Sequence, residues 1–493
     1  MPARSLMFQG TGSDVGKSTL VAGLCRLAVR RGIRVAPFKP QNMSNNAAAC
    51  LDGGEIGRAQ ALQARACHLE PHVDFNPVLL KPQSDSTAQV VVHGKVLDTL
   101  SASDYMNERR QHLMRAVTDS YARLSEQYEL ILVEGAGSAA EINLRERDIA
   151  NMGFAQRLNL PVCLIGDIDR GGVIAAIVGT KAVISPSDAS LISSFIINRF
   201  RGDPRLFDDG VVAIEQLTQW PCRGVVPWLP SALKLPQEDA VILEQGNTAT
   251  DRTGAMIRIA VPMLSRIANF DDMDPLRLEP NVELGFVPPG KAIPRDIDAI
   301  IIPGTKSAMG DLAFLRAQGW DHDIIAFARA GGRVTGVCGG YQLLGKAIHD
   351  PQGVDGSPGS AEGLGLLDIE THMHAEKQTR KVDGYCPRSH CPLSGYEIHV
   401  GTSTGPDTRS PMTVLADHPD GATSHDAQIE GTYLHGIFGN DDYRAWWLNG
   451  LKSGSAGGLN YDATVEQELD ILADGLEAAL DVDALFADAR AAQ

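Results

Sequence analysis

A glycine-rich segment near the start of the chain combines residue types that bind nucleotide phosphates. It runs Gly10-Thr-Gly-Ser-Asp-Val-Gly-Lys-Ser-Thr19, after a short apolar run and before a helical pattern. Glycines let backbone N–H groups face phosphate oxygens, the lysine neutralises the β and γ phosphates, and the serine can bind magnesium. A glycine-rich turn without nucleotide is the alternative. The residues predicted to bind the nucleotide are Gly10, Thr11, Gly12, Asp14, Val15, Gly16, Lys17, Ser18 and Thr19.

The spacing of this loop departs from the common phosphate-loop pattern. Five residues separate Gly10 from Gly16, whereas the common pattern has four. The longer loop resembles the dethiobiotin synthetase branch of P-loop proteins, many of which attach the γ-phosphoryl group of ATP to a carboxylate. The resemblance implies that the nucleotide is ATP and that Mg2+ binds with it.

Three further polar residues in this half of the chain are candidates for metal and adenine contacts. Glu134 ends an apolar strand, where ligands gather in an open α/β sheet, and Glu55 opens a helix. By the same resemblance both carboxylates face the metal together with Ser18, with solvated or helix-capping carboxylates as the alternative. Asn198 also ends a strand and is predicted to hydrogen-bond adenine, unless it is only a turn residue.

A run of amide and ammonium groups follows another predicted strand. The segment Lys39-Pro-Gln-Asn-Met-Ser-Asn-Asn46 is dense in donors that suit carboxylates or amides, although a merely solvated polar loop is the alternative. Because the chain as a whole is acidic, an anionic substrate requires local donors of this kind. The predicted substrate-binding residues here are Lys39, Gln41, Asn42, Asn45 and Asn46, with further cations at Arg58, Arg145, Arg147 and Arg170.

A second chemical centre is predicted around a cysteine. Gly336-Val-Cys-Gly-Gly340 follows an apolar strand and precedes a helical pattern, which is the arrangement of a nucleophile elbow. The glycines permit a strained turn that exposes the sulfur of Cys338, and the dipole of the following helix favours the reactive thiolate. A buried structural cysteine does not explain glycines on both sides.

A thiol nucleophile also needs a base and donors for the oxyanion that its attack creates. His435 ends a strand-like run and is predicted to be the base, with His399 as the second candidate. Gly304, in Pro303-Gly-Thr305 at another strand end, is predicted to contribute backbone N–H groups to the oxyanion site.

The cysteine and histidine resemble those of the class I glutamine amidotransferases. The resemblance implies that Cys338 attacks the γ-amide of glutamine and that Gln342 lies near this substrate. Members of that class commonly carry Pro and then Glu just after the histidine, whereas this chain has Gly436-Ile437. His435 therefore acts without an acidic partner or with one from elsewhere, for which Glu397 is a candidate. A Cys and His dyad is chemically sufficient.

Together the two centres predict ATP-dependent amidation of an acid with ammonia taken from glutamine. From about residue 5 to about residue 440 the chain resembles the cobyric acid synthase family. That resemblance implies L-glutamine and adenosylcobyrinic acid a,c-diamide as substrates, with amidation of the b, d, e and g carboxylates through acyl phosphates in cobalamin biosynthesis. The segments that carry it are 39–46, 133–138 with 141–144, 167–173, 198–203, 269–272, 303–307 and 431–435.

Composition limits the other classes of function. The 493 residues include 44 Lys and Arg against 61 Asp and Glu, a formal net charge of −17, which argues against a nucleic-acid partner. No apolar run approaches the roughly 18 residues that span a bilayer, and the first residues lack signal-peptide features, so we expect a cytoplasmic protein without membrane contact. The 8 cysteines have no CxxC spacing, which predicts neither a zinc site nor disulfides.

The elements that position these residues are visible as short apolar runs that alternate with helical patterns along most of the chain. Such runs predict buried parallel strands with helical crossovers, and hence an α/β P-loop parallel-sheet domain followed by a second α/β domain of the class I glutamine amidotransferase type. An amphipathic helix is predicted near 311–330 and an exposed loop at 351–361. The predicted units are 1–240 for the amide-forming domain, 241–254 for a linker, 255–450 for the glutaminase domain and 451–493 for an acidic helical tail.

Two other functions stay open from the residues alone. One is a related amidotransferase that acts on the a and c carboxylates or on a cell-wall acid, which the donors of 39–46 argue against. The other is a P-loop switch or scaffold with an inactive thiol domain, which the intact Cys338 and His435 argue against. The sequence does not decide whether the chain acts alone or as a homo-oligomer.

Overall fold

A parallel sheet organises the first half of the chain in the computed structural model, which describes residues 2–83, 87–101, 110–238 and 257–492. Leu6, Met7 and Phe8 are all fully buried, because helices cover both faces of the sheet. All five neighbouring strand pairs are parallel. The strand order is Cys222–Pro227 (β12), Ile192–Phe200 (β11), Val162–Asp167 (β10), Arg4–Gly10 (β1), Leu130–Ser138 (β9) and Val35–Phe38 (β2).

The helices of this domain cross over between its strands. The first one begins directly after the glycine-rich loop, at the carboxyl end of β1, so its N-terminus faces the site that the loop forms. The helices are Lys17–Arg30 (α1), Arg58–Ala66 (α2), Arg110–Gln127 (α3), Met152–Arg157 (α4), Val173–Val183 (α5), Pro186–Ala189 (α6) and Asp208–Thr218 (α7).

Two small sheets extend this domain towards the second half of the chain. One is four-stranded and the other is a two-stranded antiparallel pair. Their strands are Gln41–Met43 (β3), Ala47–Ala49 (β4), Glu55–Gly57 (β5), Val78–Pro82 (β6), Thr87–Val92 (β7) and Lys95–Ser101 (β8).

The second domain is built on another mostly parallel sheet. The helix predicted near 311–330 is in fact two helices, because Gly319 adopts a left-handed φ of 75° between them. Its strands, in sheet order, are Val282–Val287 (β14), Ile257–Pro262 (β13), Ala299–Ile302 (β15), Arg333–Val337 (β16), Ile429–Thr432 (β24) and Ala422–Thr423 (β23). Its helices are Asp274–Leu278 (α8), Ala308–Ala317 (α9), Trp320–Arg329 (α10), Gly339–Leu344 (α11) and Asp441–Leu451 (α12).

A long hairpin sheet packs beside the cysteine and contacts the first domain. The predicted exposed loop at 351–361 leads into its edge strand. The strands are Ala347–Asp350 (β17), Gly359–Glu362 (β18), Glu370–Tyr385 (β19), Pro392–Thr404 (β20), Thr413–Leu415 (β21), His418–Asp420 (β22) and Leu434–His435 (β25).

The end of the chain returns to the first domain instead of forming a separate tail. Tyr461–Ala479 (α13) packs against α1, Val482–Asp488 (α14) follows it, and Arg490–Ala491 (β26) pairs with β1. Acidic residues of α13 pair with arginines of α1, among them Arg30 with Asp474 at 2.6 Å. The acidic character predicted for 451–493 therefore neutralises a basic face of the P-loop domain.

The α/β class predicted for both domains is confirmed by this architecture and its sheets. The predicted linker at 241–254 lies outside the described residues. Among the described helices, none has the length and apolar character needed to cross a bilayer.

Candidate active site

The glycine-rich loop forms one wall of a cavity of about 520 Å³ at the carboxyl end of the first sheet. Lys17 Nζ donates hydrogen bonds to the carbonyl oxygens of Gly12 and Gly137, at 2.9 and 2.8 Å, so the ammonium group is held across the loop. Of the residues predicted to bind the nucleotide, Asp14, Gly16, Lys17, Ser18 and Thr19 line this cavity, whereas Gly10, Thr11, Gly12 and Val15 do not.

Glu134 is the polar centre of this cavity. Its Oε1 accepts hydrogen bonds from Ser18 Oγ and Lys39 Nζ, both at 2.8 Å, and its Oε2 accepts one from Gln63 Nε2 at 2.6 Å. Burial alone would raise the pKa of this carboxyl group, but the Lys39 ammonium and the other donors hold it below its ordinary value. A charged carboxylate therefore lies beside Ser18 and Lys39, and carboxylate oxygens are ligands that magnesium prefers.

The structure does not bring Glu55 to this cavity. Its carboxylate is buried elsewhere, with Lys81 Nζ at 2.9 Å and Lys377 on its other oxygen. Although burial opposes ionisation, these two ammonium groups lower the pKa of Glu55 to about 2. The resemblance implied a metal ligand that opens a helix. Glu55 instead lies in strand β5, three residues before α2, and chain folding places its carboxylate between two cations.

Asn198 was predicted to hydrogen-bond adenine, but in the structure it bonds to the glycine-rich loop. Its Nδ2 donates to the carbonyl oxygen of Val15 at 2.8 Å, which ties the strand end to the glycine-rich loop. The neighbouring Arg199 reaches the same loop, where its guanidinium pairs with Asp14 at 3.0 Å. Asn198 thus supports the loop in this structure.

The donors of segment 39–46 are divided among three places. Lys39, Gln41 and Asn42 line the nucleotide cavity, where Asn42 Nδ2 donates to Gln60 Oε1 at 2.9 Å. Asn45 lines a second cavity beside the cysteine. Asn46 lies at the domain contact, where its Oδ1 accepts the backbone N–H of Asn269 at 2.6 Å.

Cys338 occupies the strained turn that its flanking glycines predict. It lies between β16 and α11 with φ 52° and ψ −111°, a conformation that is unfavourable for residues with a Cβ atom. Its backbone N–H donates to the carbonyl oxygen of Thr432 at 2.8 Å, and its Sγ lies 3.5 Å from the carbonyl oxygen of Ile398. The elbow is therefore fixed from two neighbouring strands and faces the second cavity.

An acidic partner for His435 comes from a residue that the sequence patterns did not single out. The Nδ1 of His435 lies 2.7 Å from Asp272 Oδ2, and the other carboxylate oxygen accepts the N–H of Gly436 at 2.7 Å. Burial would lower the pKa of His435, but Asp272 and Cys338 together raise it to about 10. Cys338, His435 and Asp272 thus form a thiol, imidazole and carboxylate series. The segment 269–272 carried the family resemblance, which was the only sequence signal for Asp272.

The alternative base and acid have other partners. The ring of His399 stacks on Tyr433 at 3.9 Å, and its Nδ1 lies 3.2 Å from the carbonyl oxygen of Gly401. Glu397 pairs with Arg380 at 2.6 Å and faces His399 and His418, not His435. Glu397 therefore does not orient the base.

The predicted glutamine contacts do gather around the thiol. Gly304 and Gln342 line the second cavity together with Cys338 and His435. Gln342 Nε2 donates to the carbonyl oxygen of Val400 at 3.0 Å, which fixes this side chain at the cavity wall.

One helix connects the two cavities. At the first turn of α2, the Arg58 guanidinium contacts the hydroxyl of Tyr396 and pairs with Asp271 at 3.0 Å. The Tyr396 ring in turn stacks on His435, with centroids 5.1 Å apart. Five residues further along α2, Gln63 Nε2 donates a hydrogen bond to Glu134. The same helix therefore reaches the phosphate site directly and the base of the thiol site through Tyr396.

Family models match both halves of the chain. A CobQ/CobB/MinD/ParA nucleotide-binding domain matches residues 6–242, and a CobB/CobQ-like glutamine amidotransferase domain matches residues 258–443. These two matches contain the two cavities.

Similarity to curated proteins extends over the full length. The cobyric acid synthase of Hyphomonas neptunium is 62% identical over 491 residues, covering 100% of this chain and 98% of that protein. The cobyric acid synthase of Paracoccus denitrificans is 61% identical over 486 residues, covering 99% of this chain and 100% of that protein. The similarity therefore includes both sites and the segments that join them.

Proposed function

This chain belongs to the cobyric acid synthase family, and we propose that it converts adenosylcobyrinic acid a,c-diamide to adenosylcobyric acid by amidating the b, d, e and g carboxylates. It is a glutamine-dependent amidotransferase of cobalamin biosynthesis. The observation that carries the proposal is the coexistence, in one chain, of a phosphate-loop cavity and a Cys338–His435–Asp272 site, linked by helix α2 through Arg58 and Tyr396.

In the first half of the proposed reaction, a substrate carboxylate oxygen attacks the γ-phosphorus of ATP and ADP leaves. The product is an acyl phosphate, in which the carboxyl carbon is activated towards amines. Lys17 neutralises the negative charge that shifts onto the phosphate oxygens, and the loop N–H groups hold those oxygens in place. Lys39 lies in the same cavity and keeps Glu134 ionised.

Mg2+ fits the residues at this site. Ser18 Oγ and Glu134 Oε1 are hard oxygen donors 2.8 Å apart, and both residues line the nucleotide cavity. We assign these two residues to the metal and leave Glu55 out of the set. A bound magnesium ion supplies charge neutralisation to the phosphates of the nucleotide.

In the second half, glutamine supplies ammonia. The Cys338 thiolate attacks the γ-amide carbon, and the His435 imidazolium protonates the departing nitrogen, which leaves as ammonia. Water then hydrolyses the remaining thioester to glutamate. Asp272 holds the imidazole ring in position throughout, since it bonds Nδ1 and leaves Nε2 for the reacting groups. Ammonia displaces phosphate from the acyl phosphate to form the amide.

The proposal is tested by incubating the protein with MgATP, L-glutamine and adenosylcobyrinic acid a,c-diamide and following the product mass. Four successive amide mass shifts are expected. Cys338→Ala is expected to lose the glutamine-dependent shifts and to regain them with ammonium chloride, because the amide-forming cavity is separate from the thiol.

Two outcomes would contradict the proposal. Glutamine hydrolysis without any mass shift would keep an amidotransferase but remove this corrinoid as its acid. ATP hydrolysis that neither glutamine nor the corrinoid alters, with no amide formed, would favour a P-loop switch.

A further inference from the structure

The cavity beside Cys338 contains three lysines for which the thiol chemistry has no use. Lys306 lies in the loop after β15, and Lys377 lies on β19. Lys81 comes from β6 of the nucleotide-binding domain. All three line the cavity together with Cys338 and His435. Three ammonium groups around one small cavity indicate a site for an anionic group.

The protein itself neutralises this cluster only in part. Lys81 and Lys377 share one carboxylate, that of Glu55. In the described parts of the chain, Lys306 makes no direct ion pair with a carboxylate. Among the described residues that line the cavity, Asp355 is the one carboxylate, and its charge attracts the Lys306 ammonium group from further away. Burial lowers the pKa of Lys306, and it lowers that of Lys377 to about 7. Burial therefore disfavours the charged forms of these lysines, and a bound anion would offset this desolvation penalty.

The same cavity also offers acceptors for a cation. Asn45 Oδ1 is buried and has no hydrogen-bond partner among the described residues. The carboxyl group of Asp355 accepts the backbone N–H of Met309 at 3.1 Å, and burial raises its pKa to about 7. Ammonium donors and oxygen acceptors in one cavity match the two charged groups on the α-carbon of an amino acid.

We propose that Lys306, flanked by Lys81 and Lys377, binds the α-carboxylate of glutamine, and that Asp355 and Asn45 bind its α-ammonium group. The glutamine pocket is then a joint product of both domains, since Lys81 and Asn45 belong to the nucleotide-binding domain and line the cavity. This inference rests on the proposed glutaminase activity and adds the residues that hold the end of glutamine remote from the reacting amide.

The experiment compares hydrolysis of L-glutamine with hydrolysis of L-glutaminamide, in which a neutral amide replaces the α-carboxylate. In the unaltered protein we expect a strong preference for L-glutamine. Lys306→Met should lower kcat/KM for L-glutamine by about tenfold or more and leave that for L-glutaminamide nearly unchanged, so that the preference collapses. Lys81→Met should act in the same direction with a smaller effect, because its charge is already shared with Glu55.

Two controls separate recognition from folding. Lys346→Met removes a lysine of the same domain that pairs with Asp368 at 2.6 Å and does not line the cavity, so its preference should stay unaltered. Amide formation from ammonium chloride should persist in every variant, because it does not use the thiol site. If Lys306→Met also loses amide formation from ammonium chloride, the comparison of L-glutamine with L-glutaminamide is made with Lys81→Met and Lys377→Met.

The outcomes distinguish this inference from the function on which it rests. An unaltered preference in these variants, with glutaminase activity intact, would overturn the α-carboxylate assignment alone. An equal loss of kcat/KM for L-glutamine and for L-glutaminamide would also overturn it, since the lysine would then act on the thiol. Absence of glutamine hydrolysis in the unaltered protein would instead refute the proposed function.

Discussion

At the scale of single residues, the acidic partner of His435 distinguishes this site from the class that it resembles. The usual glutamate two positions after the histidine is replaced by Ile437, and Asp272, 163 residues earlier, takes its place. One carboxylate oxygen of Asp272 holds the ring, and the other holds the N–H of Gly436. The carboxylate thus fixes both the base and the turn that carries it.

Asp272→Asn should therefore impair the thiol reaction specifically. We expect glutamine-dependent amidation to fall by about 10²-fold or more, because an amide neither stabilises the imidazolium nor keeps its tautomer. Ammonium-dependent amidation should be retained. Glu397→Gln is the matched control, since the Glu397 carboxylate is also buried beside histidines but pairs with Arg380 and does not contact His435. It should leave the glutamine reaction nearly unaltered. The assignment would be contradicted if Asp272→Asn and Glu397→Gln lowered glutamine-dependent amidation equally. It would also be contradicted if Asp272→Asn lowered ammonium-dependent amidation as much as the glutamine-dependent reaction.

The raised pKa of His435 also predicts how Asp272 affects stability with pH. Since the pKa in the folded protein is about 10, above the ordinary value of 6.5, the stabilisation is complete below about pH 6.5 and is lost as the pH approaches 10. The melting temperature of Asp272→Asn should consequently fall furthest below that of the unaltered protein near pH 6, and the gap should narrow towards pH 10. A gap that is constant across this range would refute the ion pair.

At the scale of elements, the elbow of Cys338 depends on how closely α11 approaches the neighbouring strand β15. A Cβ atom on Gly340 would lie 2.0 Å from the carbonyl oxygen of Ile302, and backbone cannot move aside as a side chain can. The reactive turn is thus possible only because this helix begins with glycines.

Gly340→Ala should destabilise the glutaminase domain by about 1–3 kcal/mol and abolish glutamine hydrolysis. Gly179→Ala is the control, since Gly179 lies inside helix α5 with open space around its Cα and should gain up to about 1 kcal/mol. Thermal unfolding and glutamine hydrolysis of both variants measure these effects. A Gly340→Ala protein as stable and as active as the unaltered one would contradict the close approach.

At the scale of the whole molecule, the two ends of the chain form one domain. Helix α13 buries Leu469, Leu472 and Leu476 in the core that α1 also forms, and β26 pairs with β1. The nucleotide-binding domain is therefore complete only after the glutaminase domain has been synthesised. The two domains also contact each other directly, through Arg58 with Tyr396 and through Asn46 with Asn269.

Leu472→Ala should accordingly destabilise the protein by about 2–5 kcal/mol, although it lies far along the chain from the phosphate loop. The neighbouring Ile471 is 44% exposed, and Ile471→Ala should change stability by no more than about 0.5 kcal/mol. Denaturant unfolding in the presence and absence of MgATP checks both values. Equal stabilities of the two variants would mean that α13 is not part of this core.

The sequence by itself determined the features that depend on local backbone chemistry. The phosphate loop and the elbow of Cys338 were predictable because glycines, a helix start and a preceding apolar strand must be adjacent in the chain. The parallel strands were predictable because buried strands require uninterrupted apolar runs. The family resemblance implied the reaction, since its segments extend over both centres.

Only the tertiary structure decided which distant side chains meet. Asp272 reaches His435 across 163 residues, and Glu55 lies between Lys81 and Lys377 instead of facing the phosphate loop. The acidic C-terminal helices were recognisable, but their packing on α1 was not. Ion pairs and packing between segments that are remote in the chain depend on how the two domains meet. Local patterns of residue types do not predict that geometry.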